Sequence, residues 1–218
     1  MACRQNASKL VSDAALFLRA AKTSTGAAAR SIFIVSGHAL VTGYAKIGRK
    51  NTAMNLYVFY LGGAAPGANI EVHDVQFAVA EKPEDAHASL GQRWYGTRKS
   101  LHIDAYGLVS WADGHAVTLS TEKQDTDKTL YFINMGGYMP GALREEHEFT
   151  FLVASTPKEA KARAKKILLS HCDHQHRDNF MEVDDCIPLE QIDGLYIHLT
   201  PQAEGVPVTA AWQGYQPI

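Results

Sequence analysis

Cysteine is scarce in this chain: three residues among 218, Cys3, Cys172 and Cys186, an odd number at no regular spacing. That excludes a disulfide framework and a four-thiolate metal centre, and reduced thiols are expected. Long apolar runs are missing too. A bilayer crossing takes about 20 consecutive apolar residues, and the longest stretches here fall well short of it. No charged, apolar, small-residue leader is evident either, so the chain reads as soluble, cytoplasmic and without a membrane partner. Glycine-rich dinucleotide motifs, Walker loops and nucleophile elbows are absent, and no serine or cysteine stands beside a recognisable base. Nothing in the pattern calls for a cofactor.

Acid is the last absence, and it is local. Residues 1–53 hold eight basic residues against one acid, Asp13, and are rich in Ala, Ser and Gly, whereas residues 54–218 hold thirteen basic and twenty-two acidic residues. A body that acidic repels phosphate backbones, so nucleic acid is not an expected partner. The first 53 residues share no pattern with residues 54–218. They are read as an extension, disordered or untranslated in a bacterial host, with Met54 as the alternative start: Gly48, Arg49 and Lys50 can be encoded by a purine-rich tract at ribosome-binding distance. A transit peptide and a flexible extension with one amphipathic helix over residues 8–22 are the other readings.

What the chain does have is a repeat. Aligned without gaps, residues 56–86 and 130–160 are identical at fourteen of thirty-one positions. The shared residues include Gly62-Gly63 and Gly136-Gly137, Pro66-Gly67-Ala68 and Pro140-Gly141-Ala142, Glu71 and His73 against Glu145 and His147, and Pro83 against Pro157. After a six-residue insertion in the second copy the match resumes, with Asp104 against Asp184 and Asp113-Gly114 against Asp193-Gly194. The expected organisation is an extension (1–53), copy 1 (54–120), a linker (121–129), copy 2 (130–199) and a tail (200–218). A period this long suits two small subdomains better than a solenoid.

Each copy reads as strand-strand-helix-strand-strand. LYVFYL and LYFINM are apolar on both faces and predict central, doubly buried strands. IEVHDVQFAVA and EEHEFTFLVA alternate, which places Val75, Phe77 and Val79, or Phe149, Phe151 and Val153, on a core face. Pro83 and Pro157 suit a first helical turn. Asp-Gly between short apolar segments predicts a two-residue hairpin turn. The fold class is α+β: a tandem pseudo-symmetric repeat forming mixed or antiparallel sheets with helices on one face, the mixed arrangement being favoured by the helical crossover.

The segments YLGG-x-x-PGANIEVHDVQF and SLHIDAY resemble the domain of unknown function (DUF) 1543 family, and the chain looks like a two-copy member. The resemblance covers nearly all of 55–199 and implies no activity, so any chemistry rests on the residues themselves.

Two ionisable groups, Glu71 with His73 and again Glu145 with His147, lie at one end of an apolar face, which costs several kcal/mol unless they are paired. One reading has them pin the glycine loop by bonding its backbone. The functional reading makes Glu71, His73, Glu145 and His147 candidate acid-base residues, with loop glycines Gly62, Gly63, Gly67, Gly136, Gly137 and Gly141 admitting a carboxylate or phosphate ligand. His171, Cys172, His174 and His176 are weaker metal candidates. Asp104 and Asp184 fall out of phase with the apolar positions around them and are expected in solvent, although their presence in both copies keeps them as weak candidates. The expected function is a small-ligand or partner-binding module; the alternatives are an enzyme using the Glu-x-His pairs for acid-base or metal-assisted chemistry, and a structural dimerisation module whose partner is a homo-oligomer.

Overall fold

The computed structural model describes residues 53–170 and 183–218, without the side chains of 183 and 184, together with the backbone of 33–35 and 38–40. The chain divides into two compact units, 1–51 and 52–218. In the first, β1 (Phe33–Val35) pairs antiparallel with β2 (His38–Leu40). The helix expected over 8–22 lies outside the described residues.

The second unit opens with β3 (Asn55–Gly63) and β4 (Val72–Ala80), followed by a 3-10 turn at Pro83–Ala86 that leads into α1 (His87–Arg93). β5 (His102–Leu108), β6 (Trp111–Ala112) and β7 (His115–Ser120) complete this half. The other half runs β8 (Thr129–Tyr138), β9 (Glu145–Ala154), α2 (Pro157–Ala164), β10 (Val183–Leu189), β11 (Gln191–Ile192) and β12 (Leu195–Pro201), and the tail adds β13 (Trp212–Pro217). Proline opens both helical segments, where its missing N–H is no loss. Thr156 caps α2 by accepting from Glu159 N at 3.2 Å.

The described strands of this unit form three sheets, with orders β13-β5-β3-β4, β10-β8-β9 and β11-β12-β7-β6. Every pairing among the described strands is antiparallel, an α+β architecture with few helices. The mixed sheet favoured by the crossover does not arise. β3 lies between β4 and β5, and β8 between β9 and β10, so the two strands that flank each helix run parallel without ever being neighbours. The third sheet joins the copies, since β7 of one pairs with β12 of the other over Tyr196↔Ser120 to Pro201↔His115.

Central strands are buried on both sides for a simple reason. Tyr57, Phe59 and Leu61 point one way, onto Leu90 and Trp94 of the helical segment. Leu56 and Val58 point the other way and meet Phe77, Phe132, Phe151 and Val153 in one cluster that unites the two copies. Tyr131, Ile133 and Met135 of β8 pack the corresponding outer face against Ala160 and Ala164 of α2. Each such side chain contributes about 1.5–3 kcal/mol by leaving water.

The repeated Asp-Gly turns do more than reverse the chain. Asp113 and Asp193 both adopt φ of +48°, followed by glycines at +76° and +86°, the left-handed pair that a tight hairpin requires. Each aspartate then reaches into the opposite copy: Asp113 Oδ2 accepts from Val153 N of β9 and Asp193 Oδ2 accepts from Val79 N of β4, both at 2.8 Å. β4 and β9 are sheet edges with unpaired N–H groups, so the hairpins close reciprocally what the sheets leave open. Arg163 bridges Asp113 and the Val153 carbonyl, while Arg93 pairs with Asp193 and donates to the Phe77 carbonyl.

Candidate functional site

The face of β3 that carries Leu56 and Val58 continues to Tyr60 and Gly62. Gly62 pairs with His73 on one side and His102 on the other, which sets two imidazoles on either flank of a residue with no side chain. Glu71 precedes β4 and joins them.

Asp104 arrives by a different route. Tyr60 pairs with Ala105 and Leu61 with Ile103, so Asp104 is an extra residue, a β-bulge. The bulge turns its carboxylate inward, and the expectation that Asp104 lies in solvent is corrected on that account: Oδ2 is buried and, among the described residues, makes no hydrogen bond. The same register shift sets Asp184 between Val183 and Asp185 in β10.

Glu71 Oε1 lies 2.7 Å from His102 Nε2 and 3.4 Å from His73 Nε2. Asp104 offers Oδ1 at 3.3 Å from His102 Nε2 and Oδ2 at 3.4 Å from His73 Nε2. One ligand atom from each of Glu71, His102 and Asp104 falls within 4.8 Å of the other two. Glycine at position 62 makes the convergence possible. A Cβ there would stand 2.3 Å from Glu71 Oε1, 2.6 Å from His102 Nε2 and 2.8 Å from Asp104 Oδ2.

The placement of protons narrows what the group can hold. His102 is 3% exposed, and its Nδ1 sits 2.9 Å from the Ser100 carbonyl. A carbonyl only accepts, so Nδ1 carries the hydrogen. Nε2 then faces two carboxylates that also only accept when ionised, and a positive charge, a proton or a cation, has to lie between them. Aromatic rings flank the group, which stays open to solvent at Glu71 and His73. Tyr60 stacks on His73 with centroids 5.2 Å apart, Phe149 from the second copy stacks on Tyr60 at 6.5 Å, and Tyr215 of β13 lies 4.3 Å from the His102 ring. Tyr215 gets there because β13 also bulges, placing Gly214 and Tyr215 opposite the Asp104 bulge. Burial first, and then the charge of Asp104, push the Tyr60 phenol above its ordinary value.

Of the residues singled out from sequence, Glu71 and His73 meet in this group and Gly62 lies under it. Gly63 packs instead toward Trp94 and Ser100. Gly67 and Gly141 occupy left-handed turn positions in open space. The loop after β3 is held by Ser100, whose Oγ accepts from Ala64 N at 2.8 Å, and by Thr97 N donating to the Ala64 carbonyl. In the second copy, Gly136 and Gly137 pair with His147 and Glu146. Glu145 Oε2 is 3.6 Å from His147 Nε2, and Asn134 Nδ2 lies 3.3 Å from His147 Nδ1. His171, Cys172, His174 and His176 lie outside the described residues. Sequence reasoning misses the pairing of His102 with Asp104. Its signal is His-x-Asp, a second period-two pair beside Glu-x-His, and the second copy departs from it with Glu182 two residues before Asp184.

The family model described as Domain of Unknown Function (DUF1543) matches residues 68–119 and 142–199, half of the chain in two segments. The chain belongs to the DUF1543 family. Glu71, His73, His102 and Asp104 all fall inside the first matched segment of this two-copy DUF1543 protein. It is similar to the crystal structure of a protein Il1583 from Idiomarina loihiensis, with 33% identity, a TM-score of 0.59, and coverage of 75% of this chain and 97% of that one. No curated protein matches this DUF1543 chain. Among the described residues, no helix is long and apolar enough to cross a membrane.

Proposed function

We propose that this chain is a ligand-binding module in which one α+β unit is used twice, the 54–120 copy as receptor and the 130–199 copy as the scaffold that closes it. The receptor is the inner face of the first copy, at Gly62, Glu71, His73, His102 and Asp104, and its ligand is a small cation. The observation that carries this reading is the Asp104 carboxylate, whose Oδ2 is buried and, among the described residues, without a hydrogen bond. An orphaned buried acceptor costs about 1–3 kcal/mol, more when it is charged, and a bound cation recovers that. The expectation of a carboxylate or phosphate ligand at the glycine loops is less favoured, because the polar groups that converge here are acceptors and not backbone donors.

The test is a thermal-shift panel on the full chain with ammonium, guanidinium, small diamines and divalent ions, repeated on Asp104→Asn. At least one cation should raise the melting temperature of the parent and leave the isosteric variant unmoved. A panel with no shift, or equal shifts in both proteins, would sink the reading.

Acid-base catalysis is a second reading, favoured by the position of His73. It is half-exposed, lies 3.4 Å from both Glu71 and Asp104, and is backed by the Tyr60 ring. Turnover lost in His73→Gln with cation binding retained would establish it. The dimerisation reading draws on the reciprocal hairpins, which bind the copies as two protomers would be bound.

A further inference from the structure

We infer that the cation is a divalent first-row transition metal ion, held by Glu71 Oε1, His102 Nε2 and Asp104, with His73 beside an open coordination position; this rests on the reading of the site as a cation receptor. The donor set is two carboxylates and an imidazole. Oxygen and nitrogen donors of this kind suit Zn²⁺, Mn²⁺ or Fe²⁺. Ca²⁺ would demand six to eight oxygens, and soft ions would demand sulfur.

Spacing supports the same conclusion. Ligands about 2.0–2.1 Å from a tetrahedral ion stand about 3.3–3.4 Å from one another. Within the ligand set, His102 Nε2 and Asp104 Oδ1 are 3.3 Å apart, and one donor atom from each of the three residues lies within 4.8 Å of the other two. A second ligand pair, His102 Nε2 and Glu71 Oε1 at 2.7 Å, stands at a hydrogen-bond distance that widens when an ion takes the place of the proton.

The outer contacts are those of a metal-bound histidine. Such an imidazole gives its second N–H to a carbonyl or carboxylate, which fixes the tautomer and aims the lone pair, and His102 does this through Nδ1 to Ser100 O. A proton alone accounts for the group less well. One Nε2–H cannot serve Glu71 Oε1, Asp104 Oδ1 and Asp104 Oδ2 together, and the 3.4 Å from Oδ2 to His73 exceeds a charge-assisted bond of about 2.7–2.9 Å. Three protein donors with a neighbouring imidazole describe an open site, where water or a substrate oxygen takes the fourth position.

Calorimetric titration of the chelator-treated full chain with Zn²⁺ and Mn²⁺, alongside the Co²⁺ visible spectrum, tests the assignment. The expected result is one site per chain, with Co²⁺ bands reporting nitrogen and oxygen ligation. Asp104→Asn and His102→Gln should each weaken binding by more than the roughly 10–100-fold that loss of an outer-shell partner costs. A His171→Ala/His174→Ala variant should bind as the parent does. Circular dichroism shows whether each variant folds, and Glu71→Gln serves as a further ligand change if one does not. Absence of binding, binding that survives all three ligand changes, or binding lost only with His171 and His174 would overturn the inference. If an organic cation stabilises the parent and not Asp104→Asn while no metal binds, the metal assignment fails and the receptor reading stands. If neither binds, both fail.

Discussion

Replacing Asp113 by glycine is the most direct test of how the two copies are held together. Glycine accepts the φ of +48° that Asp113 adopts, so the hairpin itself survives and the reach across the junction is what is lost. Two interactions go. Val153 N loses its acceptor at 2.8 Å on a strand residue that is 4% exposed. A bond to a charged acceptor contributes about 1.5–3 kcal/mol. Arg163 loses its carboxylate partner, a partly buried pair worth about 0.5–1 kcal/mol. Some of this returns, because Arg163 still donates to the Val153 carbonyl and because glycine relieves the residual left-handed strain of aspartate. The net expectation is a loss of about 2–3 kcal/mol. Asp193→Gly removes the same contacts from Val79 at a more exposed position and a looser Arg93 pair at 3.7 Å, so it should cost about half as much. Urea unfolding followed by tryptophan fluorescence reads both values, since Trp94 is buried and changes environment on unfolding. An Asp113→Gly protein whose stability stays within about 0.5 kcal/mol of the parent, the size of one weak hydrogen bond, would refute the clamp.

The same structure leads to further expected outcomes. Phe132→Ala removes a ring that packs with Phe77, Phe149 and Phe151 in the junction between the copies, and should cost about 3–5 kcal/mol in chemical denaturation. Gly62→Ala places a methyl within 2.3–2.8 Å of three polar atoms, and should abolish cation-induced stabilisation in the thermal-shift assay while costing about 1–3 kcal/mol itself. Burial, the leading cause in each case, raises the phenols of Tyr57, Tyr60 and Tyr131 above their ordinary value of 10.0. Their folded-state values lie above the unfolded ones, so the stability they contribute is complete below about pH 10 and is lost as pH rises through the folded values. Denaturation midpoints should therefore fall in that alkaline window, and Tyr60→Phe should shallow the decline.

Much of the local structure was legible in the residues alone. The repeat, the doubly apolar strands at 56–61 and 130–135, the helix starts at Pro83 and Pro157, and the Asp-Gly turns each rest on interactions between close neighbours in the chain. A proline ring sets its own φ, and Asp-Gly accepts left-handed angles whatever lies across from it. Half of the candidate site was legible too, because Glu71 and His73 stand two residues apart on one strand face.

The rest depends on distant partners. Alternation along a single strand assigned Asp104 to solvent, and only pairing of β5 with β3 creates the bulge that turns it toward Glu71 and His102. The antiparallel order was hidden for a similar reason. A helical crossover reveals that two strands run the same way, but not that a third lies between them. The aspartates of the repeated turns look complete as turn residues, and their second role exists only where each hairpin meets the open edge of the other copy. The sequence by itself determined the elements and their duplication, since these arise from propensity and period. Tertiary structure alone decided the sheet order, the reciprocal clamp and the convergence over Gly62, because each depends on which N–H, C=O and carboxylate groups remain unpaired once the sheets have formed.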